Sequence, residues 1–310
     1  MSFLAVIIPL FNHAAYIGAA LQSVQAQTQP AQRVIVIDDG STDDSFAIAQ
    51  AAAASGTEVL RQENRGAHAT LNRGIEMAAD CDLVAILNSD DLWHPERLAR
   101  CRKAFDMRPE LDAVCTGLHL IDPVGARLAD DAPKMRRHLK VWSLVEKEND
   151  PLLSLAVSNF AKTTSNLVAR RSFLLAHPFG GYRYVHDYHC FLQAALPGKM
   201  GVVAGDLLGY RVHQTNTIKA DGRRAVVAET VQMHLDLMAS LAPELAASAA
   251  LRQRFRLYLQ RLFGNHTDFR GEIFLQVIAD AIAKNPELFA VSALGDFEEF
   301  EGKSAPLPSA

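Results

Sequence analysis

Residues 33–41 read RVIVIDDGS, an aliphatic, β-branched run that ends in two adjacent carboxylates, a glycine and a serine. A run of this kind is a strand buried on both faces. Upstream, Leu4 to Leu10 is a second such run, and Ala14 to Gln27 between them carries Ile17, Leu21 and Val24 at helical spacing. Downstream, an Ala-rich segment from Asp43 to Ser55 predicts a helix, with Ser41 and Thr42 as capping residues. A short strand at Glu58 to Arg61 follows, then a helix from Gly66 to Ala79, a buried strand at Asp82 to Leu87, and a helix opened by Pro95. Strand and helix alternating in this way predict an α/β fold with a mostly parallel sheet and right-handed crossovers. Such sheets bind ligands at the carboxyl ends of their strands. Asn12, Asp38 with Asp39, and Asn88 through Asp91 fall there.

The remaining sequence sets boundaries. With 310 residues the chain can hold one large α/β domain and an appendage. We expect a catalytic domain over 1–220 and a helical C-terminal extension over 221–310 with a disordered tail from Gly302. Apolar stripes mark the extension: Val227, Val231, Leu235, Met238 and Leu241, then Phe255, Leu259 and Leu262, then Ile273, Val277 and Ala281. Asp122 to Asp150 is polar and reads as a solvated excursion. The formal net charge of -4 gathers no nucleic acid, so none is expected as a partner. Cys81, Cys101, Cys115 and Cys190 lack any C-x-x-C spacing, which suits free thiols in a reducing compartment. The apolar start lacks a basic n-region and is broken by Pro9, and no run reaches a membrane-spanning length. A cytoplasmic location is expected.

Two motifs carry chemistry. Asp38-Asp39-Gly40-Ser41 can accept hydrogen bonds from a nucleoside, although a turn with a helix cap has the same composition. Asn88-Ser89-Asp90-Asp91 offers hard oxygen ligands for Mg²⁺ or Mn²⁺, or a capped turn. There is no G-x-x-x-x-G-K-[ST] or G-x-G-x-x-G loop after the first strand, so a diphosphate would need a metal to neutralise it.

Ile7-Ile8-Pro9-Leu10-Phe11-Asn12, Ile37-Asp38-Asp39-Gly40-Ser41-Thr42-Asp43, Glu63-Asn64-Arg65-Gly66 with Asn72 and Gly74, and Ser89-Asp90-Asp91 together resemble the successive motifs of the family 2 glycosyltransferases, inverting enzymes of the GT-A fold. Thr164-Ser165-Asn166, His186-Asp187-Tyr188 and Tyr210-Arg211-Val212-His213 with Asn216 and Thr217 extend the similarity across residues 4–217. The resemblance implies an inverting, metal-assisted transfer from a nucleoside diphosphate sugar, with UDP-sugars as first guess, to a glycan or lipid-linked acceptor. It implies Asp187 as catalytic base. Donor contacts would come from Pro9, Phe11, Asn12, Asp38, Asp39, Arg65, Gly66, Asn72, Ser89, Asp90, Arg211 and His213. Mn²⁺ or Mg²⁺ would sit on Asp90, Asp91 and His213, and Trp93, Thr164, Ser165, Asn166 and His186 would lie on the acceptor side. Two positions depart from the pattern: Asn88 stands where the family often has Asp, and His186 where Glu is commoner. A nucleotide-sugar-binding protein without transfer activity, and a nucleotidyltransferase, are the competing classes. The arginines at 252, 254, 256 and 261, interleaved with Phe255, Tyr258, Leu259, Leu262 and Phe263, read as a packed stripe or a peripheral membrane contact.

Overall fold

The computed structural model describes residues 2–148, 150–213 and 223–264. Strand β1 (Leu4–Leu10) pairs in parallel with β2 (Arg33–Asp38) on one side and β4 (Leu83–Ile86) on the other, and β2 pairs in parallel with β3 (Thr57–Arg61). Helices α1 (Ile17–Gln25), α2 (Ser45–Ala52) and α3 (Ala67–Met77) make the crossovers. Every residue of β4 is buried, and within β1 only Pro9 is partly exposed, which is why these strands read as unbroken apolar runs. At Gly74, α3 presses onto β1. A Cβ there would lie 2.6 Å from the Ile7 side chain, so only glycine permits that approach.

After β5 (Leu92–Trp93) and α4 (Arg97–Met107) the sheet continues in a mixed half: β6 (Ala113–Ile121), β7 (Val168–Arg170) and β8 (Met200–Arg211). The strand order is β3-β2-β1-β4-β7-β6-β8-β5, with β7 antiparallel to both of its neighbours. Between β6 and β7 run α5 (Pro133–Glu148), α6 (Pro151–Val157) and a 3₁₀ turn (Thr164–Asn166), and between β7 and β8 run α7 (Arg171–Ala176) and α8 (His186–Ala195). The sheet is the mostly parallel α/β core that the resemblance implies.

Two expectations need correction here. The stretch 122–150 holds α5 rather than a solvated excursion: Met135, His138 and Val145 are buried, and the His138 ring bonds the Leu118 carbonyl at 2.8 Å. Its apolar face is narrow and the rest is charged, so composition hid the period. Ser41 caps no helix; its hydroxyl accepts from the Asn12 N–H, and α2 begins at Ser45 beside Asp43.

The chain divides into two compact units, Met1–Thr230 and Val231–Ala310. Helices α9 (Arg223–Ala247) and α10 (Ala249–Gly264) continue into the second unit. Among its described residues Val231, Met233, His234, Leu237, Tyr258 and Leu262 are buried, and the Tyr258 hydroxyl and the His234 ring share a 2.6 Å hydrogen bond. The buried face of α9 is therefore rotated from the expected stripe. Tyr258 and Leu262, the aromatic and aliphatic partners of the arginine run, are packed inside. The third stripe, the tail, Asn216 and Thr217 lie outside the described residues. The four cysteines are buried free thiols, and among the described residues no helix is long and apolar enough to cross a membrane.

Candidate active site

The carboxyl ends of β1, β2 and β4 open onto a cleft of about 840 Å³. Loop-to-loop bonds fix its floor. Asn12, at φ 52°, accepts the Thr42 N–H on its side-chain oxygen at 2.8 Å, while its own N–H donates to Ser41 at 2.9 Å. The left-handed backbone at Asn12, which asparagine tolerates better than most residues, turns the chain so that Phe11, Asn12 and His13 all line the cleft.

Asp39 stands at the N-terminus of α3. Its carboxylate accepts from the Arg65 and Gly66 N–H groups, both at 2.9 Å, and from the Gln62 amide at 2.7 Å. Gly66 adopts φ 84°, which a side chain would resist. Pro9, Phe11, Asn64 and Gly66 complete this end of the cleft. Asp38, in contrast, is fully buried; it pairs with Arg61 at 3.2 Å and does not line the cleft. The Arg65 contribution is its backbone N–H, and the Asn72 side chain bonds the Phe179 backbone in both directions at 3.0 Å.

At the centre, His13, Asp90 and His213 bring their ligand atoms within 4.8 Å of one another. His213 Nε2 meets Asp90 Oδ2 at 2.9 Å. His13 Nδ1 is occupied by the Ser89 hydroxyl at 2.8 Å, which leaves Nε2 for the trio. Burial, partly offset by Asp90, pushes the His13 imidazole below its ordinary pKa, toward the neutral form that ligates metals. Two imidazoles and a carboxylate suit a divalent first-row cation. His13 escaped the sequence reading. The signal was there, a histidine directly after the strand-end Asn12, but no local pattern tied it to Asp90, 77 positions later.

The cleft is also lined by Asp187, in the first turn of α8 and only 6% exposed. Its Oδ1 accepts the Tyr188 N–H at 2.7 Å and its Oδ2 the Asn159 amide at 3.3 Å. Burial raises its pKa above the usual carboxylate value, with His186 pulling the other way. The approach to α8 is gripped by Glu229 of α9, whose carboxylate accepts the N–H groups of Arg183, Tyr184 and Val185 at 2.6, 2.5 and 3.1 Å. Nothing in the local sequence marks Glu229. Glu229→Gln should lower amide-exchange protection at residues 183–185 roughly ten- to a hundredfold, about 1.5–3 kcal/mol for charge-assisted bonds. Unchanged exchange by mass spectrometry would show the grip to be idle.

Asp39, Asp90 and Asp187 thus line one cleft, joined by Ser89, Thr164, His186 and His213. Several expected site residues lie elsewhere. Asp91 is completely buried and bonds Ser165 at 2.5 Å and the Arg211 N–H at 2.8 Å. Asn166 is held by Thr116 and Arg97, and the Trp93 indole donates to the Ser165 carbonyl at 3.2 Å within the core. Arg211 braces backbone carbonyls at Asp90, Asp122 and Pro123. These residues carry the site from beneath. Asn88 lines the cleft with its amide committed to Thr163 and Thr164, both at 2.9 Å.

A strand-end acidic motif, a His/Asp trio and an α/β sheet of this order define a class. Residues 5–150 match the Glycosyl transferase family 2 model. That segment of the chain belongs to the family. A glycosyltransferase of Nostoc sp. is 36% identical over 219 residues, 69% of this chain and 66% of that protein. Across the first curated relatives matched, the chain spans 66%, 27% and 62% of their lengths, less than two thirds of each. Staphylococcus aureus TarS 1–349 in complex with UDP-GlcNAc superposes with a TM-score of 0.58 at 17% identity, over 84% of this chain and 73% of that 1–349 chain. Mycobacterium tuberculosis glucosyl-3-phosphoglycerate synthase with Mn²⁺, UDP and phosphoglyceric acid gives 0.51 at 17%, over 75% and 78%. At such identity the structural likeness bears on the fold alone.

Proposed function

We propose that this protein transfers a sugar from a nucleoside diphosphate sugar to an acceptor hydroxyl, with inversion at the anomeric carbon, in polysaccharide or glycoconjugate synthesis. The observation that carries the reading is the convergence of Asp39, Asp90 and Asp187 on one cleft from stretches far apart in the chain. Asp39, with Pro9 and Phe11, would receive the base and ribose. Asp90, His213 and His13 would hold Mn²⁺ or Mg²⁺, and Asp91 acts through Ser165 and Arg211 rather than on the ion. A divalent cation in that trio would neutralise charge developing on the departing diphosphate. Asp187 would take the acceptor hydroxyl proton as the acceptor oxygen bonds to the anomeric carbon and the bond from that carbon to the diphosphate oxygen breaks. One base and no enzyme nucleophile make a single displacement, hence inversion.

UDP is the first nucleotide to test, because the TarS structure holds UDP-GlcNAc and the synthase structure UDP. Calorimetric titration should show UDP binding with Mn²⁺ and at least about tenfold weaker binding without it. Hydrolysis of one UDP-sugar in a donor panel, with the product anomer read by NMR, completes the test. Equal UDP affinity with and without metal, or no nucleotide bound at all, would count against the reading.

The trio predicts metal preference as well. Nucleotide-free protein should bind Mn²⁺ or Co²⁺ about tenfold or more tightly than Mg²⁺, since imidazole favours the transition metals. His13→Ala should lose about tenfold of that affinity. A Co²⁺ absorption titration that His13→Ala leaves untouched would remove His13 from the ligand set.

A further inference from the structure

Lys162 lines the cleft beside Thr163 and Thr164, and three features of it have no use in the transfer chemistry above. Its φ is +65°, in the left-handed region that lysine rarely adopts and glycine adopts freely. Such outliers persist where the surroundings over-determine them, and they cluster at ligand sites. Here the clamp is visible: the Asn159 side-chain oxygen accepts the Lys162 N–H at 3.1 Å, and the Thr163 N–H donates to the Ala161 carbonyl at 2.9 Å. The other end of the Asn159 amide holds Asp187, so one side chain ties the lysine turn to the carboxylate.

The second feature is charge. Among the described residues the Lys162 ammonium makes no ion pair, and burial together with the Arg137 guanidinium pushes it below the ordinary lysine range. A half-buried cation whose charged neighbour is another cation is an unfavourable arrangement on its own. The third is company. Arg183 and His186 line the same cleft, while Asp187 is the single carboxylate between residues 159 and 188 that does so.

We propose that Lys162 contacts an anionic group, a phosphate monoester or a carboxylate, carried by the acceptor near the hydroxyl that receives the sugar. The inference rests on reading Asp187 as the base on the acceptor side. A lysine is a compact point charge suited to phosphate. The incoming anion would supply the counter-charge that the ammonium lacks. The donor diphosphate has its own cation site at His13, Asp90 and His213.

The test uses the full chain loaded with Mg²⁺ and UDP, titrated by calorimetry with methyl phosphate, with acetate, and with methyl α-glucoside as the neutral control. Lys162→Gly suits the backbone and should fold at least as well as the wild type, which its melting temperature checks. Methyl phosphate or acetate should bind the wild type saturably and Lys162→Gly about tenfold more weakly, with methyl α-glucoside indifferent to the substitution. UDP affinity should stay within about twofold. Equal anion binding by both proteins, or none by the wild type, overturns the proposal. A UDP affinity that falls about tenfold in Lys162→Gly also overturns it, by moving the lysine to the donor. If UDP fails to bind the wild type, the donor reading falls separately, and the same anion titration on nucleotide-free protein still decides the lysine.

Discussion

Asp187→Asn is expected to lower sugar transfer by roughly 10²- to 10⁴-fold, the usual contribution of a positioned base, while UDP and metal binding stay within about twofold. The same substitution should make the protein more stable near neutral pH. Burial raises the folded-state pKa of Asp187 above its ordinary 3.8, so the folded chain holds this proton more tightly than the unfolded one. For a group shifted upward, the linked stability is full below the unfolded value and declines as pH rises through the folded one. Asparagine has no proton to lose, so its advantage should be present at neutral pH and vanish as pH falls below the unfolded-state value of 3.8. Activity runs the opposite way: the wild-type rate should rise with pH through that raised pKa, because only the carboxylate accepts a proton. Melting curves and kcat profiles between pH 4 and 8 read both trends. An Asn variant that transfers at the wild-type rate would remove Asp187 from the chemistry.

What was legible in the sequence follows the range of the forces involved. Strands β1 and β2 end at the residues expected, because a strand buried on both faces writes itself as an unbroken aliphatic run. The acidic ends of β2 and β4 were likewise visible, since a parallel sheet gathers strand ends at one edge. Illegible were the partners brought in by tertiary packing. His13 meets Asp90 and His213, Asn159 holds Asp187, and Glu229 reaches residues 183–185, each across tens of residues with no local pattern to mark it. Trp93, Ser165 and Asn166 show the converse failure. They sit beside motif residues in sequence, but alternation along a turn sends them into the core.

Asp90 and Asp91 give that alternation its largest expected energetic contrast. Asp90 is part of the His13–His213 trio and lines the cleft. Asp91 is buried to 0% exposure, and burial first, then Asp90, raises its pKa. Its Oδ2 accepts the Ser165 hydroxyl at 2.5 Å and its Oδ1 the Arg211 N–H at 2.8 Å. Ser165 in turn accepts the Asn88 N–H on its hydroxyl and the Trp93 and Arg97 side chains on its carbonyl. Asp91→Ala would strand a buried hydroxyl and a buried N–H and open space beneath the metal turn. Each buried donor left unsatisfied costs about 1–3 kcal/mol, so the two together cost roughly 2–6 kcal/mol. Asp91→Asn, which keeps one acceptor and offers a donor to Ser165, should cost less, about 1–2 kcal/mol. Asp90→Asn keeps an oxygen for His213 Nε2, so it should cost only about 1 kcal/mol while losing most of the Mn²⁺ affinity. Urea unfolding followed by tryptophan fluorescence separates the two positions, since Trp93 and Trp142 both lie in the Met1–Thr230 unit. Midpoints that fall together for Asp90→Asn and Asp91→Ala would mean that the two neighbouring carboxylates share one role, and the division drawn between cleft and core at this turn would fail.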